Sequence, residues 1–280
     1  MSNPTTADKD GNRIAEGDSC AVDAGVGHNC RTLKMNNNYR HLHLWLLIPF
    51  IITILGFYNT YWSRFFNTPL NWHLHGMSAT LWYILLIIQP YLITKNKVAH
   101  HRTLGIIGFL IAGFVAASAL AIIRGHIKNL DPELDSFIYY YRYSLSLTDL
   151  IYIAGFLFSV IMSIIYRKDI VKHSTWLISS VFWVLSPATD RFTFLVVGPF
   201  LNEESSWYDF ESQFWISHIA IILILTFLII RKLNMKNNYW LPYALVSIIH
   251  LLAPIILIYL ADSEGLARWF EHMYKPPFSD

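Results

Sequence analysis

Twelve histidines in 280 residues are the first chemical feature of this chain, and several lie close to carboxylates, arginines or tryptophans inside otherwise apolar stretches. Imidazole changes charge near neutral pH and is a common nitrogen ligand for metal ions and for haem iron. His75, His100, His101, His173 and His218 are the candidates for such ligands. Asp149, Asp190 and Arg191 are the candidates for catalytic acid–base work. A carboxyl group in an apolar interior holds its proton more tightly than in water and can act as a general acid. No His-Glu-x-x-His or His-x-x-x-His run occurs, so any metal centre has to be assembled between helices. His73, two residues before His75, points to another side of a helix that carries both.

The spacing of these residues says which elements hold them. His75, Trp82 and Gln89 recur every seven residues. His173, Trp176, Ser180, Trp183, Pro187 and Asp190 follow a helical course, and so do Tyr243, Ser247, His250 and Pro254. Each set falls on one helical face. Ionisable groups within apolar spans cost roughly 2.5–3.5 kcal/mol on insertion scales and therefore turn inward, so the three stripes are expected to line a common cavity or pathway. His173 and Asp190 are seventeen residues apart, about 25 Å along a helix. The histidines are thereby expected in two layers. The outer layer holds His73, His75, His126 and His218 with Arg124, Asp149, Asp190 and Arg191; the inner one holds His43, His100, His101 and His173, and His250 lies near the middle. Arg124 is expected to pair with Asp149 or Asp190. Gly105, Gly108, Ala112 and Gly113 thin one side of their helix for close packing.

Composition demands a membrane setting for these helices. Hydrophobic residues make up 54% and charged residues only 14%, with a mean hydropathy of +0.38, too little charge for the surface of a soluble protein. The formal net charge of +2 gives no footprint for nucleic acid. Apolar stretches long enough to cross a hydrocarbon core about 30 Å thick run over 44–61, 72–93, 104–123, 145–166, 176–201, 214–230 and 240–260. None alternates as a barrel strand would. The predicted fold class is all-α: a polytopic membrane protein, a bundle of about seven transmembrane helices.

Three loops are basic: Lys95, Lys97 and Arg102; Arg167, Lys168 and Lys172; Arg231, Lys232 and Lys236. The segment 202–213 carries Glu203, Glu204, Asp209 and Glu211 and no basic residue. The positive-inside rule then puts the N-terminus inside and the C-terminus outside. The loop with Arg124, Lys128 and Arg142 opposes this and is outvoted. Residues 1–36 read as a disordered polar tail carrying Cys20, Cys30 and His28, dispensable before Met35; 37–264 form the transmembrane domain; 265–280 form a short extracytoplasmic segment.

The strings "AHHRTLG" and "RKDIVKHSTWLISSVFWVLSPATDR", with the preceding "HLHG", Trp82 and Gln89, resemble domain-of-unknown-function 2306, a family of bacterial polytopic membrane proteins, over about residues 72–201. The resemblance implies a multi-helix inner-membrane protein with His101, Arg102, Gly105, His173, Trp176 and Arg191 at patterned positions. It implies no activity.

Three functions fit these residues. Haem b needs two imidazoles at equal depth on facing helices, which His75 with His218, and His100 or His101 with His173, are expected to supply for electron transfer. A metal- or acid-dependent enzyme would use a transition metal ion or Asp190 on a lipid, quinone or terpenoid drawn from the bilayer. A transporter or assembly factor would use the polar stripes as a pathway. The partners expected are the lipid bilayer and a lipid-soluble small molecule, without nucleic acid.

Overall fold

The computed structural model describes residues 41–129, 131, 133, 136–197, 209–235 and 238–274. The predicted tail, with Cys20, Cys30 and His28, lies outside the described residues, as does most of the acidic segment 202–213. Among the described residues the chain forms helices and no strand. They are α1 (Leu42–Trp45), α2 (Leu47–Gly56), a 3-10 segment (Trp62–Asn67), α3 (Leu70–Thr94), α4 (Val98–Asn129), α5 (Ser136–Ile165), α6 (Ile170–Val197), α7 (Phe210–Leu233), α8 (Leu241–Tyr259) and α9 (Glu264–Tyr274).

Among the described residues five helices are long and apolar enough to cross a membrane: α3, α4, Ile138–Ile165 of α5, α7 and α8. The protein is an all-helical integral membrane protein. Ile106, Leu110, Leu223, Phe227 and Ile248 stand exposed on these helices, where lipid rather than water is the solvent they suit. Polar backbone is satisfied inside each helix, which is what a bilayer requires.

Two of the expected spans take another form. The stretch 44–61 is not one helix: it breaks at Leu46 between α1 and α2. Pro49 has no N–H to bond the Trp45 carbonyl, and its ring crowds that carbonyl, so the break falls one turn before it. α2 then packs on α6 so closely that a Cβ at Gly56 would overlap the Ala188 carbonyl oxygen. α6 is 28 residues long but carries Ser174, Ser179, Ser180, Ser186, Asp190 and Arg191 and falls below the apolarity of the five. Its surroundings explain why: α6 packs against α2, α5, α7 and α8, and Ser179, Ser180, Ser186 and Ala188 have no exposed surface. A helix shielded from lipid by neighbours can carry hydroxyls and charges that its neighbours cannot.

α3 and α4 form a hairpin through Lys95–Lys97, where Asn96 takes a left-handed conformation (φ 56°), one that asparagine tolerates better than most residues. Leu85 packs on Gly108, while Gly113 faces open space; only part of the small-residue stripe serves packing. The C-terminal segment contains a helix, α9. Its fully buried Phe270 packs with Tyr143 of α5 and Ile123 of α4. Around it the aromatic start of α5 is tied down: Tyr140 donates to Asp262 (2.7 Å), Tyr141 to Glu211 and Tyr143 to Glu271 (2.6 Å). Asp209 caps α7, accepting from the Ser212 amide at 2.7 Å.

Candidate functional site

The α6 stripe is placed by two contacts with α5. Gly155 leaves room for the Trp183 indole, since a Cβ there would stand 2.7 Å from its ring atoms. Trp183 Nε1 donates to the Ser159 hydroxyl at 2.8 Å. With the indole fixed, 2% exposed, the next turn of α6 presents Ser186 to α7 and α5.

Four helices meet there. Tyr152 of α5, Ser186 of α6, His218 of α7 and His250 of α8 form one cluster, with both imidazoles at 0% exposure. Backbone carbonyls fix the tautomers, because a carbonyl only accepts. His218 Nδ1 lies 2.8 Å from the Phe214 carbonyl and donates to it, so Nε2 carries the lone pair. His250 Nε2 donates to the Phe182 carbonyl at 3.1 Å, so Nδ1 carries the lone pair. Both lone pairs face the Tyr152 hydroxyl, at 2.7 Å from His218 Nε2 and 3.4 Å from His250 Nδ1. Ser186 Oγ is 3.2 Å from the same His218 nitrogen.

The carboxylates adjoin this cluster. Ser217 donates to Asp190, and His218 Nδ1 is 3.9 Å from Asp190 Oδ1, whose side chain is 15% exposed. Asp149, Asp190 and Arg191 act on one another electrostatically. Arg191 donates to the Pro187 carbonyl at 2.8 Å and lies over the Phe57 ring, 4.8 Å from its centre. Arg124, expected to neutralise a carboxylate here, is exposed instead; Arg191 holds that role.

The Tyr152 O–H lies between two imidazole lone pairs and bonds the nearer, and the Ser186 hydroxyl adjoins that same nitrogen. One added proton on His250 Nδ1 would donate to the Tyr152 oxygen while Tyr152 donates to His218 Nε2, completing the chain. The same geometry lets a proton pass from one ring to the other through the phenol.

The other candidates are distributed as follows. His75 Nδ1 meets Ser118 of α4 at 3.2 Å and is not brought to His218, since α3 packs on α4 and α1 while His218 sits among α5, α6 and α8. His73 turns away to Tyr61 (3.1 Å), as its two-residue offset requires. His100 is exposed. His101 and His173 are brought together, ring centres 6.3 Å apart. The α6 and α8 stripes meet at Tyr152, but the α3 stripe lies against α4 and α5, with Trp82 on Phe156. His272 is exposed on α9. A separate groove of about 450 Å³ between α3 and α4 is lined by apolar side chains with His73 and Ser78. Among the described residues no three His, Cys, Asp or Glu side chains gather as a metal-ligand set.

Tyr152, Ser186 and Ser217 were not among the expected site residues. A tyrosine or serine in an apolar helix reads as packing, and only the fold shows what it faces. The i, i+3 signal was present for Asp149 and Tyr152, one turn apart on α5. No family model, curated protein or solved structure matches the chain.

Proposed function

We propose that this is a seven-span protein of a bacterial inner membrane, N-terminus inside and C-terminus outside, whose interior accepts and relays a proton in a proton-coupled membrane process. The observation that carries this reading is the Tyr152 hydroxyl set between two imidazole lone pairs whose tautomers are fixed by backbone carbonyls. A proton reaching His250 Nδ1 turns that ring into a donor to Tyr152, whose own proton moves to His218 Nε2. The resulting imidazolium lies next to Asp190, with Ser217 bridging, and Asp149 and Arg191 complete the charge balance. Bilayer-embedded ionisable groups of this kind mark proton relays and solute pathways.

The haem b reading has less support. It needs facing imidazoles, and of the two expected pairs only His101 and His173 adjoin. The acid-dependent enzyme draws on Asp190 as well, but the groove between α3 and α4 carries no carboxylate in its lining. The resemblance to domain-of-unknown-function 2306 brings no activity to weigh.

Proton flux into proteoliposomes, followed with an enclosed pH-sensitive dye under an imposed gradient, tests the relay. Wild type is expected to conduct above protein-free vesicles. Tyr152→Phe, which keeps the ring and removes the shared proton, is expected to lose at least tenfold. Wild-type vesicles no leakier than empty ones, or full flux in Tyr152→Phe, would overturn it.

A further inference from the structure

Gln89, His101 and His173 stand about 25 Å along α6 from Asp190, and no step of the relay uses them. Gln89 is 3% exposed. Its Nε2 donates to the His101 carbonyl at 3.3 Å, which fixes the amide's orientation and leaves Oε1 buried without a partner. The His101 ring lies beside the Gln89 backbone carbonyl, and its Nδ1 is buried without a partner. His173 donates from Nδ1 to the Ser163 carbonyl at 2.7 Å, so its Nε2 carries a lone pair. A ligand histidine is oriented in this way, with the second ring nitrogen held by a carbonyl.

Gln89 Oε1 and the His173 Nε2 lone pair are acceptors, and His101 Nδ1 is a third in the tautomer that carries its proton on Nε2. Two imidazoles on one ion, at metal–nitrogen bonds of about 2.0–2.1 Å, have ring centres about 5 Å apart at a tetrahedral angle and about 6 Å apart on opposite sides; His101 and His173, at 6.3 Å with ring planes at 81°, stand at the wide end of that range. We propose that His101 and His173, with Gln89 Oε1, form a binding site for a single transition-metal ion of the zinc, copper, nickel or cobalt type. Nitrogen donors with one amide oxygen suit these ions, whereas magnesium and calcium require oxygen shells. The helices make the site as follows: the hairpin at Asn96 brings Gln89 of α3 to the first turns of α4, and the Ser163 carbonyl of α5 aims the first turn of α6 at the same place. This site does not depend on the proton relay, and either can fail without the other.

The test is a cobalt(II) titration of the full chain, purified in detergent, stripped with chelator and kept reduced. One equivalent is expected to bind with visible d–d absorption, to be displaced by zinc and not by magnesium. His101→Ala and His173→Ala are each expected to weaken binding roughly 10–100-fold or more, and Gln89→Leu to weaken it less. Should His101→Ala fail to fold, His101→Asn serves in its place. The proposal is overturned if wild type binds no cobalt or if binding persists in both histidine variants. A thiolate charge-transfer band that vanishes in Cys20→Ser/Cys30→Ser would move the site to the tail and overturn it. So would a pyridine haemochrome from purified protein, lost with the same histidines, since the pair would then hold haem iron rather than a bare ion.

Discussion

The two polar sites of this bundle differ in how their lone pairs are settled. Around Tyr152 every ring nitrogen of His218 and His250 has a partner, drawn from carbonyls and hydroxyls on three helices. Around His101, Gln89 Oε1 and His101 Nδ1 are buried and unmatched, and among the described residues the His173 ring bonds only through Nδ1. The first site is finished by the chain itself, with hydroxyls against both imidazole lone pairs. The second leaves lone pairs that a bound cation would complete. Both lie on α6, whose enclosure by neighbouring helices permits each of them.

Breaking the closed site should therefore cost more than breaking the open one. His218→Ala removes a fully buried ring and strands the Tyr152 and Ser186 hydroxyls, with an expected loss of about 3 kcal/mol. His173→Ala, in metal-free protein, is expected to cost less than about 1 kcal/mol, because its ring is only partly buried. Equilibrium unfolding in detergent by near-UV circular dichroism measures both, and equal losses would erase the contrast. The open site should gain the more from a ligand. Cobalt or zinc at a hundredfold excess over its dissociation constant is expected to add about 2.7 kcal/mol of stability to wild type and nothing to His101→Ala, read from the same unfolding curves.

Next in size is a change that reaches the closed site through its support. Gly155→Val drives a branched side chain into the Trp183 indole, with an expected cost of about 2 kcal/mol and a fall in proton flux as Trp183 and the Ser186 turn move. Unchanged flux with the full stability loss would show that the relay tolerates displacement of its supporting helix.

These differences also show what was readable beforehand. The α6 stripe was legible from Trp176, Ser180, Trp183 and Asp190, because helical periodicity is local and enclosure leaves it visible as hydroxyls among apolar residues. Periodicity gives a direction and not a neighbour. It therefore let His75 be matched with His218, although α3 packs on α4. It also passed over Tyr152, whose role comes from His218 and His250, 66 and 98 residues away in the chain. The break at Leu46 was not read, since a proline alone does not mark one: Pro90, Pro187 and Pro254 lie within helices that continue through them. The docking of α9 was not legible either, since the partner that buries Phe270 is named only by the tertiary fold.

The smallest expected effect is the one that separates neighbours in the sequence. His100 and His101 open α4 side by side, and no spacing rule decided between them, because a shift of one residue in the start of a helix turns each side chain by about 100°. The fold decides: His100 is exposed, while His101 faces Gln89 and His173. His100→Ala is accordingly expected to change stability by less than about 0.5 kcal/mol and to leave cobalt affinity where it was, against the tenfold or greater loss in His101→Ala. The pair can be measured by one titration on matched preparations. Equal weakening in both variants would mean that the first turn of α4 presents its imidazoles as a diffuse basic patch, and the contrast between a closed and an open site would lose its second member.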